Sequence, residues 1–167
     1  MDFRFTEEQL MIQQTAREFA ESEIAPTAVE RDKNAEFPAE IVKKLGELGF
    51  MGMMVSPEWE GAGMDTVSYV LAMIEISKVD ASVGVIMSVN NSLVTFGLEK
   101  WGSPYIKERF LKDLASGRKL GAFALSEPEA GSDATQQRTY AVKDGNHWVL
   151  NGRSEEHTSE LQSRSDL

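Results

Sequence analysis

The sequence predicts a mainly α fold, a helical bundle over residues 1–118, followed over 119–152 by the opening strands of a β domain that is cut short. Three observations carry this expectation. Between Leu10 and Leu114, apolar residues recur at helical spacing in five stretches, each with its own start or stop signal. After Gly121 that period gives way to short apolar runs. Two of those runs flank Asp144-Gly145-Asn146, a hairpin signal.

The first helix opens at Thr6-Glu7-Glu8-Gln9, a capping box in which Thr6 accepts from the N–H three residues on and Gln9 reaches back. Ile12, Ala16, Phe19 and Ala20 follow on one face, and Pro26 predicts an end or a kink. A second helix starts at Phe37-Pro38, with Ile41, Leu45 and Leu48 as its buried stripe and Gly49 as a left-handed stop. Pro57 to Gly63 is a loop by composition. Asp65 or Thr66 caps a third helix with Val67, Leu71 and Ile74 inward. A fourth begins near Asp80-Ala81-Ser82 and runs toward Phe96. Ser103-Pro104 opens a fifth, with Ile106, Phe110 and Leu114 inward and Gly117 as its stop. Phe123 to Leu125 is short and apolar like a strand. Thr139 to Lys143 and His147 to Leu150 form the hairpin arms.

Composition narrows the function classes. The 167 residues carry a net charge of −10, which argues against nucleic acid as a partner. With no cysteine there is no disulfide, thiolate nucleophile or Cys-based metal site. His147 and His157 have no partner at metal-ligand spacing, so no metal is expected. No uninterrupted apolar run approaches the roughly 18 residues of a spanning helix, and Met1-Asp2-Phe3-Arg4-Phe5 has no leader pattern. The expectation is a cytoplasmic protein without a membrane partner. Met51, Met53 and Met54 read as core gap-fillers, and Trp59, Trp101 and Trp148 as packing residues. Gly61-Ala62-Gly63 lacks the third glycine and the preceding strand of a dinucleotide fingerprint, so it reads as a turn. In the fourth helix, Asn90, Asn91 and Ser92 suit a pocket wall and satisfied helix contacts equally.

The run Phe123-Ala124-Leu125-Ser126-Glu127-Pro128-Glu129-Ala130-Gly131-Ser132-Asp133 is the most informative. It joins an apolar stretch, a hydroxyl, an acid fixed by proline, and small residues ending in Gly-Ser. Such a loop lets main-chain N–H groups and hydroxyls approach a large polar or anionic ligand. Taken alone, it also reads as an ordinary turn after a strand. Together with Ser88-Val89-Asn90-Asn91-Ser92-Leu93 and Trp148-Val149-Leu150-Asn151-Gly152, it resembles the acyl-CoA dehydrogenases, most of all their short-chain (butyryl-CoA) type. Several long motifs stand in the family's order from about Phe3 to Gly152.

The resemblance implies an FAD enzyme that converts a short-chain acyl-CoA to the trans-2-enoyl-CoA. It implies that Phe123, Leu125, Ser126, Gly131 and Ser132 bind FAD and that Ser132 also borders the substrate. Ser126 and the nearby N–H groups suit the ring edge where negative charge gathers on reduction. Gly131 permits close backbone approach and Ser132 suits the pyrophosphate. Glu127 belongs to the loop and is not the base, and Ser126 stands where most of the family has Thr. An electron-transfer flavoprotein is the implied acceptor, and the full-length parent is implied to be a homotetramer. The family's catalytic base is a glutamate far downstream, beyond this chain, so no catalytic residue is assigned and the fragment is expected to be inactive. Two alternatives remain at this point: an acyl-CoA oxidase or flavin monooxygenase on the same scaffold, and a non-enzymatic helical interaction module.

After Asn151-Gly152 the family continues with a Lys and a W-I-T-N-like strand, but here the chain reads Arg153-Ser154-Glu155-Glu156-His157-Thr158-Ser159-Glu160-Leu161-Gln162. That string looks like the in-frame translation of a sequencing adapter. Residues 153–167 are therefore expected to be a non-native tail that does not pack on the body.

Overall fold

The structure is a computed structural model, and it describes residues 4–154. They form two compact units that divide between Ala122 and Phe123.

Five helices build the first unit. Helix α1 spans 7–34 as three contiguous segments: an α-helix Glu7–Phe19, a π-helical turn Ala20–Ile24 and an α-helix Ala25–Asn34. Helices α2 (Ala39–Glu47), α3 (Thr66–Val79), α4 (Ala81–Trp101) and α5 (104–115) follow. The predicted capping box closes α1: the Gln9 N–H donates to Thr6 Oγ1 at 3.2 Å and the Thr6 N–H to Gln9 Oε1 at 3.0 Å. Pro26 does not end the helix. The wider π turn lies just ahead of it, so the ladder bond that proline cannot make is absorbed where the backbone is already loosened.

Helix α2 ends in a Schellman motif. Gly49 is left-handed at φ 77°, the Phe50 N–H reaches Leu45 O at 2.8 Å, and the Gly49 N–H reaches Gly46 O at 2.9 Å. Ile41, Val42 and Leu45 are buried, but Leu48, expected in the stripe, is 40% exposed. Asp65 caps α3 by accepting from the Ser68 N–H at 2.7 Å. The predicted face of α3 is corrected: Leu71 is buried, whereas Val67 and Ile74 are exposed. Apolar residues surround this helix, so periodicity alone leaves its orientation open. The buried side carries Ser68, Tyr69, Ala72, Glu75 and Ile76.

Asp80 separates α3 from α4 with extended backbone and caps α4 through the Ser82 and Val83 N–H groups. Helix α4 continues past the expected Phe96 to Trp101, through a π-helical segment Val89–Thr95. At 21 residues and a mean hydropathy of 1.4, it is long and apolar enough to cross a membrane by length and composition. That corrects the search for an unbroken apolar run, which Ser88 to Ser92 interrupts. In this fold its Val83 and Met87 are in the core, and its Asn90, Asn91 and Thr95 are buried and hydrogen-bonded.

Ser103 and Pro104 open α5 as expected, with Ser103 Oγ accepting from the Ile106 N–H. Its inward face shifts by one residue: Leu111 is buried where Phe110 was expected, while Leu114 is buried and Ile106 half-buried. The π segment Lys107–Leu111 inserts the extra residue that turns the face. Ile12, Ala16 and Phe19 of α1, Leu45, Met51, Met53, Ile76 and Met87 form one core. Met51 and Met53 are fully buried, as gap-fillers should be. Trp59 packs beside Val55, Leu111 and Ala115, but Trp101 and Trp148 are 71% and 65% exposed, against the expectation that they pack.

The second unit holds one antiparallel hairpin, β1 (Tyr140–Asp144) and β2 (His147–Asn151), closed by the pair Asp144 and His147. Gly145 alone in the loop has positive φ, at 57°, the pattern of a type II′ turn. Phe123 to Leu125 is not a strand, because it finds no partner strand among the described residues. Arg153 and Ser154 are irregular and exposed; the rest of the expected tail, residues 155–167, lies outside the described residues.

Candidate functional site

The loop from Phe123 to Asp133 is shaped by its own acid. Glu127 and Ala130 exchange main-chain bonds at 2.9 and 3.1 Å around Pro128-Glu129, and proline's fixed φ suits the first central position of such a turn. The Glu127 carboxylate then accepts the Arg138 N–H at 2.5 Å and the Thr139 N–H at 3.1 Å. Those bonds, the one from Arg138 foremost, hold its pKa below the usual carboxylate value. Glu127 therefore ties the loop to the residues that lead into β1. A carboxylate held ionised by main-chain donors is a poor proton acceptor, which fits its exclusion as a base. Glu129 pairs with Arg138 at 3.3 Å. Downstream, Asp133 caps the short turn Ala134–Gln136, bonding the Thr135 N–H and hydroxyl, and its pKa is also lowered, chiefly by the Thr135 hydroxyl.

The residues singled out for FAD lie along this loop. Ser126 is half-buried, while Phe123, Leu125, Gly131 and Ser132 are exposed. The loop's carbonyls are partly used internally: Leu125 O accepts from Gln137 Nε2 at 2.6 Å and Ser126 O from Ser154 Oγ at 3.0 Å. Its donors are not. Among the described residues, neither the hydroxyls of Ser126 and Ser132 nor the N–H groups of Leu125, Ser126, Gly131 and Ser132 make a hydrogen bond. Gly131 has φ outside the left-handed region, and a Cβ placed on it would meet no heavy atom within 4 Å. Neither backbone nor packing within the described residues requires glycine there. A large anionic group approaching the main chain supplies a reason, so these residues fit the cofactor's chemistry.

The pair Asn90 and Asn91 resolves differently from an even choice. Both are buried and saturated. Asn90 Nδ2 donates to Met51 O at 2.7 Å and Leu114 O at 3.0 Å, and its Oδ1 accepts the Gly121 N–H at 3.0 Å. Asn91 Nδ2 donates to Phe50 O and Met87 O, and its Oδ1 accepts the Met53 N–H at 2.8 Å. Ser92 bonds back to Ser88 O. These are clamps on main chain, not pocket walls. Two adjacent amides in an otherwise apolar helix were the available signal, since buried amides must find partners. Glu75 gave no such signal. It is a buried carboxylate of α3, met by Arg17 at 3.2 Å, Lys78 at 3.0 Å and Gln13 at 2.9 Å.

The family model "Acyl-CoA dehydrogenase, N-terminal domain" matches residues 6–118. A short-chain specific acyl-CoA dehydrogenase of Clostridium acetobutylicum is 46% identical over 152 residues, covering 91% of this chain and 40% of the relative. The solved butyryl-CoA dehydrogenase of Megasphaera elsdenii superposes with a TM-score of 0.86 at 38% identity, over 91% of this chain and 41% of that one. A glutaryl-CoA dehydrogenase from Mycobacterium smegmatis in complex with FADH2 gives 0.84 at 34% identity, over 89% and 38%. The chain thus spans about 40% of the length of such relatives. The helical architecture, the hairpin after it and the match across residues 6–118 agree: this chain belongs to the acyl-CoA dehydrogenase family.

Proposed function

We propose that the protein to which this chain belongs is an FAD-dependent dehydrogenase of short-chain acyl-CoA thioesters, and that Phe123 to Ser132 is its flavin loop. The observation that carries this is the cluster of unengaged donors on a loop held open by Glu127. The Ser126 hydroxyl and the Leu125 and Ser126 N–H groups would face the ring edge where negative charge gathers on reduction. Ser132, with the backbone at Gly131, would hold the pyrophosphate and border the thioester. FAD, when bound, supplies the two-electron acceptor. Butyryl-CoA is the substrate favoured by the short-chain and butyryl-CoA relatives. The family resemblance adds an electron-transfer flavoprotein as acceptor, a homotetramer as the full-length assembly and a base supplied by a downstream glutamate.

Glu75 and Asp80 have pKa values lowered from the usual carboxylate range, which weakens each as a base. Both are held ionised in ion pairs. The test is anaerobic addition of butyryl-CoA to the natural full-length protein and to this chain, each supplied with FAD. Bleaching of the flavin in the full-length protein alone is expected. No flavin binding by the full-length protein would overturn the proposal, and bleaching in this chain would place a base among its residues.

A further inference from the structure

Asn90 differs from its neighbour in what it holds. Through its side chain, Asn91 bonds Phe50, Met53 and Met87, all within the helical core. Asn90 also holds core carbonyls, at Met51 and Leu114, but its Oδ1 takes the N–H of Gly121. Gly121 is the last residue but one of the helical unit, and the candidate flavin loop begins two residues later, at Phe123. At this point the chain lies flat on α4, since a Cβ on Gly121 would sit 2.5 Å from Val94 Cγ1. Both contacts come from the π-helical segment Val89–Thr95. The assignment of Asn90's oxygen and nitrogen is unambiguous, because its partners are one N–H and two carbonyls.

We propose that Asn90 is a positioning residue for the flavin loop: by accepting the Gly121 N–H, it fixes where the chain leaves the helical unit on its way to Phe123 and Ser126. A buried amide with both its hydrogens committed to carbonyls cannot rotate without stranding polar groups, so the anchor is stiff. An apolar side chain of similar size would fill the space and leave the exit segment unfixed. The proposal rests on the flavin-loop reading given above.

The experiment is amide hydrogen exchange on the natural full-length protein, with Asn90→Ala and Asn91→Ala beside the unmodified form. In the unmodified protein the Gly121 amide should be protected. Asn90→Ala should speed exchange across residues 121–126 about tenfold, as expected for loss of one buried hydrogen bond, and should shift the reduction potential of bound flavin. Asn91→Ala should lower thermal stability comparably without either local effect.

An unprotected Gly121 amide in the unmodified protein would overturn the proposal even if Asn90→Ala failed to fold. So would equal exchange at 121–126 in both alanine variants. Absence of FAD from the unmodified protein would count against the flavin-loop reading instead, and the exchange result would still decide whether Asn90 anchors the exit.

Discussion

Removing the buried charge of Glu75 should cost the helical unit stability in a pH-dependent way. Its carboxyl is pulled from 4.5 to about 2, first by the hydrogen-bonded Arg17, against the opposing effect of burial, with Lys78 and Gln13 adding to the pull. Because the folded-state value lies below the unfolded one, the contribution is complete above pH 4.5 and is lost as pH falls through about 2. A depression of that size corresponds to about 3 kcal/mol as an upper bound. Arg17 and Lys78 are 43% and 59% exposed, so water screens part of it. The expected loss in Glu75→Gln at pH 7 is about 1–3 kcal/mol. Urea unfolding followed by helical circular dichroism, repeated from pH 7 to pH 2.5, measures it. The gap between the two proteins should narrow as pH drops below about 4.5. A gap that stays constant with pH, or no gap at pH 7, would refute the reasoning.

Two further pairs of substitutions test the packing. Asp80 caps α4 and pairs with Arg31 at 2.7 Å, with both side chains about nine-tenths buried. Asp80→Ala should cost about 4 kcal/mol, from a lost cap and a stranded cation, while Asp80→Asn should keep the cap and lose less. Equal unfolding midpoints for the two variants would show that the cap contributes nothing, and a midpoint of Asp80→Asn equal to that of the unmodified protein would show that the charge pair contributes nothing. Gly117 has φ 74° and lies so close to α2 that a Cβ would stand 2.6 Å from Gly46 Cα. Gly117→Ala should therefore lower stability by more than ~1 kcal/mol, whereas Gly97→Ala, with open space around it, should not destabilise a helix interior. Thermal melts of both variants check the pair.

Helix starts were the most legible part of the fold. Thr6, Asp65, Asp80 and Ser103 all cap where the sequence predicts, because a short polar side chain before an apolar period has one local job. Faces were less legible. The shift from Phe110 to Leu111 follows from a π turn that no composition signal marks, and α3 is apolar on too many sides to reveal its buried stripe. Phe123 to Leu125 reads as a strand by residue type, but a strand needs a partner, and pairing is not a local property. At the site, the motif pointed to Ser126 and Ser132 as donors. The role of Glu127 as a main-chain clamp required seeing Arg138 and Thr139 brought to its carboxylate.

The reduction potential of the flavin in the natural full-length protein, measured before and after Ser126→Val, bears most directly on the proposed role of the loop. The substitution removes a hydroxyl that makes no internal hydrogen bond among the described residues and puts two methyl groups in its place at a half-buried position. If that hydroxyl donates to the ring, the reduced form loses a stabilising contact, and the potential should fall or FAD should be retained poorly. An unchanged potential with unchanged FAD content would remove Ser126 from the flavin site and contradict the function proposed here.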